Sequence, residues 1–212
     1  VKNSVTGDQV TRWEYGTTFT DSVIATSNLL RAKIYSDSDD ATDPIGDGGD
    51  AVYDRVEYSY NRQSEVTGQK DQNSTIRAFD YDLLGRLIHD RVTILGSGVD
   101  GTVRRISNEW DLLDRITKVG SYSSATAGSG TLLNEAKFSY DGYGQVLEDW
   151  QEHDGAVSGA SAKVAYSYTD GFNNTARRTS ITTPSATTIT NYLYGSSGSI
   201  DDFISRIAAI HD

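Results

Sequence analysis

The densest group of residues able to do chemistry is a run of carboxylates. Asp37, Asp39, Asp40, Asp43, Asp47 and Asp50 fall close together, with Gly46, Gly48 and Gly49 among them and Asp54 just beyond. Calcium takes about six to eight hard oxygen ligands, and Asp at short intervals with Gly at the bend can supply them. Asp37, Asp39, Asp43, Asp47 and Asp50 are therefore candidate calcium ligands. The EF-hand string is not matched: Ala41 stands where a third ligand belongs, and no Glu closes the loop. The other reading of residues 36–52 is a solvated acidic insertion, and both stand at this point.

The remaining titratable residues form no recognisable site. His89, His153 and His211 are far apart, and none has a metal-type partner two to four residues away. A glycosidase pair needs two carboxylates at a set distance across a cleft, which 30 scattered Asp and Glu do not specify. No nucleophile elbow, phosphate loop or dinucleotide fingerprint occurs. No catalytic residue is assigned, and the chain is expected not to be an enzyme. Calcium is the one cofactor the sequence leaves open.

Composition narrows the partners. A net charge of −11 repels a phosphate backbone, so nucleic acid is not expected. The apolar runs are only a few residues long, so no membrane insertion is expected. There is no Cys, which removes disulfides and thiol chemistry. There is also no Met, even at position 1, so the chain is expected to be a stretch cut from a longer protein.

Thr, Ser and Gly are abundant, Pro occurs only twice, and 13 Tyr, 3 Trp and 5 Phe offset a hydrophobic share of 36%. Polar β-formers, aromatics and turn formers together predict strands and tight turns. Their order is periodic. An aromatic, any residue, a second aromatic and a turn former recur at Trp13–Gly16, Tyr58–Asn61, Phe79–Asp82, Phe138–Asp141, Tyr166–Thr169 and Tyr192–Gly195; Trp110-Asp111 keeps the second half. Six residues after the second aromatic stands an aliphatic residue in four copies: Val66, Leu87, Ile116 and Val146. A long polar residue precedes it, and a small or turn-tolerant one stands before that.

Two aromatics at i and i+2 share one face of a strand. The Asp or Asn that follows forms an Asx-turn, and Gly85 or Gly144 supplies a positive φ. The chain then re-enters a strand, with its aliphatic residue beside the ring. The unit is a β-hairpin of about 20 residues with one aromatic face, and a hairpin of this size needs stacked neighbours to bury that face. A second turn signal, Asp71-Gln72-Asn73-Ser74, lies between hairpins, and His153-Asp154-Gly155 holds a corresponding place. Residues 96–102, 123–131, 154–162 and 183–188 read as exposed connectors. The ends resemble each other: Tyr15-Gly16 precedes Leu29-Leu30-Arg31, and Tyr194-Gly195 precedes Phe203-Ile204-Ser205-Arg206, as if a larger repeat restarts near residue 190. Residues 21–30 and 201–210 could each hold a short helical turn.

The string Tyr81-Asp82-Leu83-Leu84-Gly85-Arg86-Leu87 resembles the Tyr-Asp-x-x-Gly-Arg-Leu motif of the tyrosine-aspartate (YD, or RHS) repeat family. Tyr140, Asp141, Gly144 and Val146 match with Gln145 in the Arg place, and Tyr60 and Val66 match more loosely. Trp110 and Ile116, then Tyr168 and Tyr194, continue the phase, so the resemblance covers residues 10–207. It implies an all-β fold: antiparallel β-hairpin repeats in a curved, spiralling sheet, a segment of a β-shell or solenoid, as a single array over 1–212 cut at both ends. It implies a structural role in a large secreted or cell-surface protein, either enclosing a C-terminal toxin or serving as a scaffold. The partners would be neighbouring repeats of the parent chain and such a toxin domain. The alternative is a carbohydrate-binding or adhesive surface, calcium-dependent if the acidic loop binds the ion, with a surface glycan as partner. Trp150 and Tyr143 fall out of phase and are the rings expected to make exposed contacts. The self-cleaving Asp-Pro-x-Gly segment of toxin-carrying members has one echo, Asp43-Pro44-Ile45-Gly46, misplaced near the start and read as a turn.

Overall fold

The computed structural model describes residues 11–35, 54–170, 176–185 and 188–212, together with the backbone of four two-residue strands. Those four form separate ribbons: β1 (Lys2–Asn3) with β2 (Gly7–Asp8), and β5 (Ala41–Thr42) with β6 (Ile45–Gly46). The other strands are β3 (Arg12–Thr17), β4 (Thr26–Ile34), β7 (Arg55–Tyr60), β8 (Val66–Lys70), β9 (Ile76–Tyr81), β10 (Leu87–Ile94), β11 (Arg105–Trp110), β12 (Ile116–Tyr122), β13 (Leu132–Tyr140), β14 (Val146–Glu152), β15 (Ala162–Asp170), β16 (Ala176–Thr182), β17 (Ile189–Leu193) and β18 (Ala209–His211). One helical turn, α1 (Ile200–Phe203), precedes β18. The fold is all-β. Fourteen strands hydrogen-bond in chain order as one open antiparallel sheet. Every connection joins neighbours, as hairpin repeats require.

The chain divides into two compact units, Val1–Ser107 with Tyr122–Thr131, and Asn108–Ser121 with Leu132–Asp212. In the first, the register places each aromatic opposite its own downstream aliphatic: Tyr60 faces Val66 and Tyr81 faces Leu87. In the second, Tyr140 faces Val146. A register shift adjoins each of these pairs, because the turn adds a residue to the ladder.

Burial is shallower than a sealed aromatic core would give. Among the described residues, the buried hydrophobic side chains are Ala32, Ile34, Val56 and Tyr60, at 8% exposure or less. Tyr81, Trp110, Tyr140 and Tyr168 are half-buried.

The two expected helical turns part company. Residues 201–203 belong to α1, with Ser199 accepting at its N-cap from Asp202 N–H. Thr26–Leu30 instead extends β4, because Thr26 and Leu30 pair with Thr17 and Tyr15 of β3. Strand pairing overrides the local pattern there.

Candidate functional site

The recurring feature of the molecule is its turn. At Asp82 the backbone N–H bonds the Arg86 carbonyl at 3.0 Å, and Gly85 N–H bonds the Asp82 carbonyl at 3.1 Å. One carboxylate oxygen of Asp82 accepts from Leu84 N–H and Arg86 N–H at 2.9 and 3.0 Å. The other accepts from Arg86 Nε at 2.7 Å. This hydrogen bond from Arg86 leads the causes that hold the Asp82 carboxyl below the usual carboxylate range. Gly85 takes φ +80° and Gly144 φ +85°, as the turn reading expects.

The same geometry recurs with other residues. Asn61, Asp71, Asp111 and Asp141 each accept from the N–H groups two and four positions on, at 2.8 to 3.0 Å. Ser64, Ser74 and Asp114 take positive φ where Gly85 and Gly144 stand. The turn between hairpins at Asp71 is thus the same device as the repeat turns. The fifth residue adds a side-chain bond in two ways: Arg115 bonds Asp111 at 2.7 Å, as Arg86 bonds Asp82, whereas Glu65 accepts from Asn61 at 2.5 Å. The Asp111 carboxyl is also lowered, first by the Arg115 N–H.

A second device links hairpins through tyrosine hydroxyls. Within the first unit, Tyr81 donates to the Val66 carbonyl at 2.9 Å and Tyr60 to the Leu30 carbonyl at 2.7 Å. Within the second, Tyr140 donates to the Ile116 carbonyl at 2.6 Å and Tyr194 to the Arg178 carbonyl at 2.8 Å. Val66 and Ile116 are the aliphatic residues of the preceding copy. Arg115 also stacks on the Tyr140 ring, 4.5 Å from its centre, and donates to the Asp141 carbonyl. Burial raises the phenol pKa of Tyr60, Tyr81, Tyr140 and Tyr168.

The residues that resemble a catalytic row lie on β9, β10 and β11. His89 pairs with Asp80 on one side and Ser107 on the other. His89 Nδ1 is 3.0 Å from Ser107 Oγ, and Ser107 Oγ accepts from Arg105 Nε at 3.0 Å. Asp80 does not orient the imidazole by a bond of its own. Both its oxygens accept from Arg91, at 2.6 and 2.8 Å. Burial leads the causes that hold His89 below the usual imidazole pKa; Asp80 opposes it next, and Arg105 and Arg91 then add to the lowering. A neutral His beside a Ser supplies a base, but the third member of a nucleophilic relay is engaged elsewhere. His153 and His211 are exposed.

Arg105 is the residue sequence reasoning missed. It is 3% exposed, stacks on Tyr122 at 4.2 Å, and gathers the carbonyls of Ser124, Thr126 and Ser129. Glu135, 7% exposed, plays the matching part in the second unit by accepting from Val157 N–H at 3.2 Å. Arg177 pairs with Asp202 at 2.7 Å and holds the α1 loop. Each lies outside the repeat motif, so no spacing marked it.

The candidate calcium ligands Asp37, Asp39, Asp43, Asp47 and Asp50 lie outside the described residues. Among the described residues, no group of three or more His, Asp or Glu could hold a metal ion. Of the out-of-phase rings, Tyr143 is 78% exposed at its turn tip, while Trp150 is half-buried between Lys137 and Lys163. A groove of about 520 Å³ in the first unit is lined by Thr18, Asp21, Arg31, Tyr58, Gln69 and Lys70 among others.

No protein-family model matches the chain, and no curated protein matches its sequence. Among solved structures it is similar to TcdB2-TccC3 without its hypervariable C-terminal region, at 11% identity and a TM-score of 0.34, over 80% of this chain and 10% of that one. It is also similar to the Tc holotoxin pore of Photorhabdus luminescens, at 12% identity and a TM-score of 0.32, over 81% of this chain and 10% of that one. The chain thus spans about a tenth of the length of these matched chains.

Proposed function

We propose that the chain is a segment of the tyrosine-aspartate repeat family that acts as a structural scaffold, not as a catalyst. In this reading it forms part of a β-hairpin shell in a secreted or cell-surface protein, where such a shell encloses a toxin domain or holds other domains apart. The observation that carries the reading is the recurrence of one turn at Asn61, Asp71, Asp82, Asp111 and Asp141. Repeated local stability, carried by turns that satisfy their own hydrogen bonds, is what a wall requires. The test is an esterase and glycosidase panel run on the folded chain. No turnover is expected, and turnover abolished by Ser107→Ala or His89→Ala would overturn the scaffold reading.

A second reading is favoured by the groove in the first unit. Tyr58 offers a ring, and Arg31, Gln69, Lys70 and Asp21 offer polar groups of the kind that orient a sugar. Binding on a glycan array that disappears in Tyr58→Ala, with the β spectrum retained, would move this reading ahead.

A further inference from the structure

The groove of the first unit has a floor without a side chain. Gly68 stands in the middle of β8, paired with Ser59 of β7 and Ala78 of β9. A glycine inside a strand weakens it and often marks a place that another group approaches closely. Here a Cβ at position 68 would collide with Ser59 Oγ, and both residues line the groove. The loop at Thr18 and Asp21 forms one wall and is fixed to the sheet. Ser22 Oγ accepts from Tyr60 N–H at 3.1 Å, and Val23 N–H donates to the Tyr60 carbonyl at 2.9 Å. Arg31 of β4 stands in another wall. Its Nε is buried and has no hydrogen-bond partner among the described residues, an arrangement that costs free energy until a partner arrives. The two carboxylates of the groove are already engaged. Asp21 accepts from Thr18 N–H and Oγ at 3.0 and 2.8 Å, and Glu57 accepts from Arg55 Nε at 2.7 Å. The whole lining belongs to described residues of the first unit.

We infer that this groove takes a sugar that carries a carboxylate, with Arg31 as the residue that selects the acid. The inference rests on the sugar reading of the groove and adds the class of sugar. A volume of about 520 Å³ lies within the range of small-molecule sites. A guanidinium binds a planar carboxylate through two parallel N–H bonds, and Nε is one of the donors able to form that fork. The bond would satisfy the atom that the sheet leaves unpaired. A neutral sugar would leave Arg31 Nε buried and alone, and a site of this kind rejects an analogue that lacks the matching group. The net charge of −11 repels acids in general, so the preference has to come from this local fork. At Gly68 the sugar ring would rest against bare backbone, within reach of the Ser59 hydroxyl.

The full chain is titrated with methyl glucuronide and with methyl glucoside, which differ only in a carboxylate for a hydroxymethyl group, and followed by amide NMR shifts. The glucuronide should bind at least about tenfold more tightly, the scale of one hydrogen bond between charged partners. It should also move the amide signals of Ser59 and Gly68. Arg31→Gln should abolish the preference, and Arg31→Lys, which keeps the charge without the fork, should retain part of it. Gly68→Ala should weaken the binding of both sugars. The preference is read first on the unaltered chain, so a variant that fails to fold does not hide the answer. Equal binding of the two sugars overturns the inference and leaves the sugar reading standing, whereas binding of neither overturns both. A preference that survives in Arg31→Gln overturns the inference as well. So does displacement of the glucuronide by an equal concentration of sodium sulfate, which would mark a site for any anion.

Discussion

The turn at residues 82–86 and the connector at 123–131 reverse the chain in the same unit by opposite means. The turn supplies its own partners. Asp82 satisfies the N–H groups of Leu84 and Arg86, Arg86 returns to Asp82, and Gly85 takes the positive φ. The connector depends on a residue far from it in sequence, Arg105, to collect its carbonyls. A reversal built from local hydrogen bonds can be repeated by copying a few residues. One built on a distant buried cation cannot be copied alone, and it ties the stability of the loop to that of the sheet.

Tyr60 serves both kinds of reversal, so it should give the largest effect. It precedes the turn at Asn61, its N–H donates to Ser22 Oγ at 3.1 Å, and its carbonyl accepts from Val23 N–H at 2.9 Å. At 7% exposure it is also the most buried of the in-phase rings. Tyr60→Ala should cost about 3–5 kcal/mol in chemical denaturation. Tyr81→Ala, at a half-buried ring, should cost roughly 2 kcal/mol. Tyr143→Ala should cost little. Equal losses at all three would show that the rings do not differ in packing.

Arg105→Met should cost roughly 2–4 kcal/mol, because the connector carbonyls lose a charged donor and must find water. Residues 123–131 should also become the first site of proteolysis. A loss confined to the connector, with the sheet unchanged, would separate the two regions more sharply than their contacts do.

The turns were legible in the sequence because their chemistry is local. Asp82, Gly85 and Arg86, and Asp141 with Gly144, announce an Asx-turn and a positive φ within five residues. Strand order followed, since short turns force neighbours to pair. The tyrosine hydroxyl bonds were legible only as a need for a partner, because the Val66 and Ile116 carbonyls belong to the preceding copy. Arg105, Glu135 and Arg177 were not legible: a charged residue on a strand looks solvated until the loop it holds is placed. The shallow burial of Tyr81 and Tyr140 was missed for a related reason. Strand parity assigns a face, but it does not say whether a second layer covers it.

Gly85→Val tests the turn directly. A β-branched residue at φ +80° should cost about 1–2 kcal/mol. The added Cβ would also meet Glu65 Oε1 at 2.6 Å, a flexible end that can swing away. The loss should therefore reflect backbone strain, and Gly85→Asn should recover much of it, as Asp114 does naturally at φ +61°.

The pH dependence near His89 distinguishes the row on β9–β11 from an ordinary surface. Because the folded pKa is lowered, the unfolded chain binds the proton first, so this contribution is present above pH 6.5 and lost as pH falls through the folded value. His89→Gln should flatten that part of the stability profile, read from melting temperatures across the range. An unchanged profile would mean that the imidazole is hydrated in the folded chain.

The smallest effect expected comes from exchanging one turn's closing pair for another's. Asn61 and Glu65 close their turn with the amide as donor, whereas Asp82 and Arg86 close theirs with the carboxylate as acceptor. The backbone bonds are the same in both. Arg86→Glu alone should destabilise, since it sets two carboxylates against each other in place of an ion pair. Adding Asp82→Asn should restore most of the loss, because the pair then repeats the Asn61–Glu65 arrangement. The Asn oxygen would still accept from the N–H groups of residues 84 and 86, as Asn61 accepts from those of Gln63 and Glu65. A double-mutant cycle measures the coupling, which should favour the matched pair. If the double variant is no better than Arg86→Glu alone, the closing residue is set by the neighbours of its turn, and the turn is less self-contained than its hydrogen bonds imply.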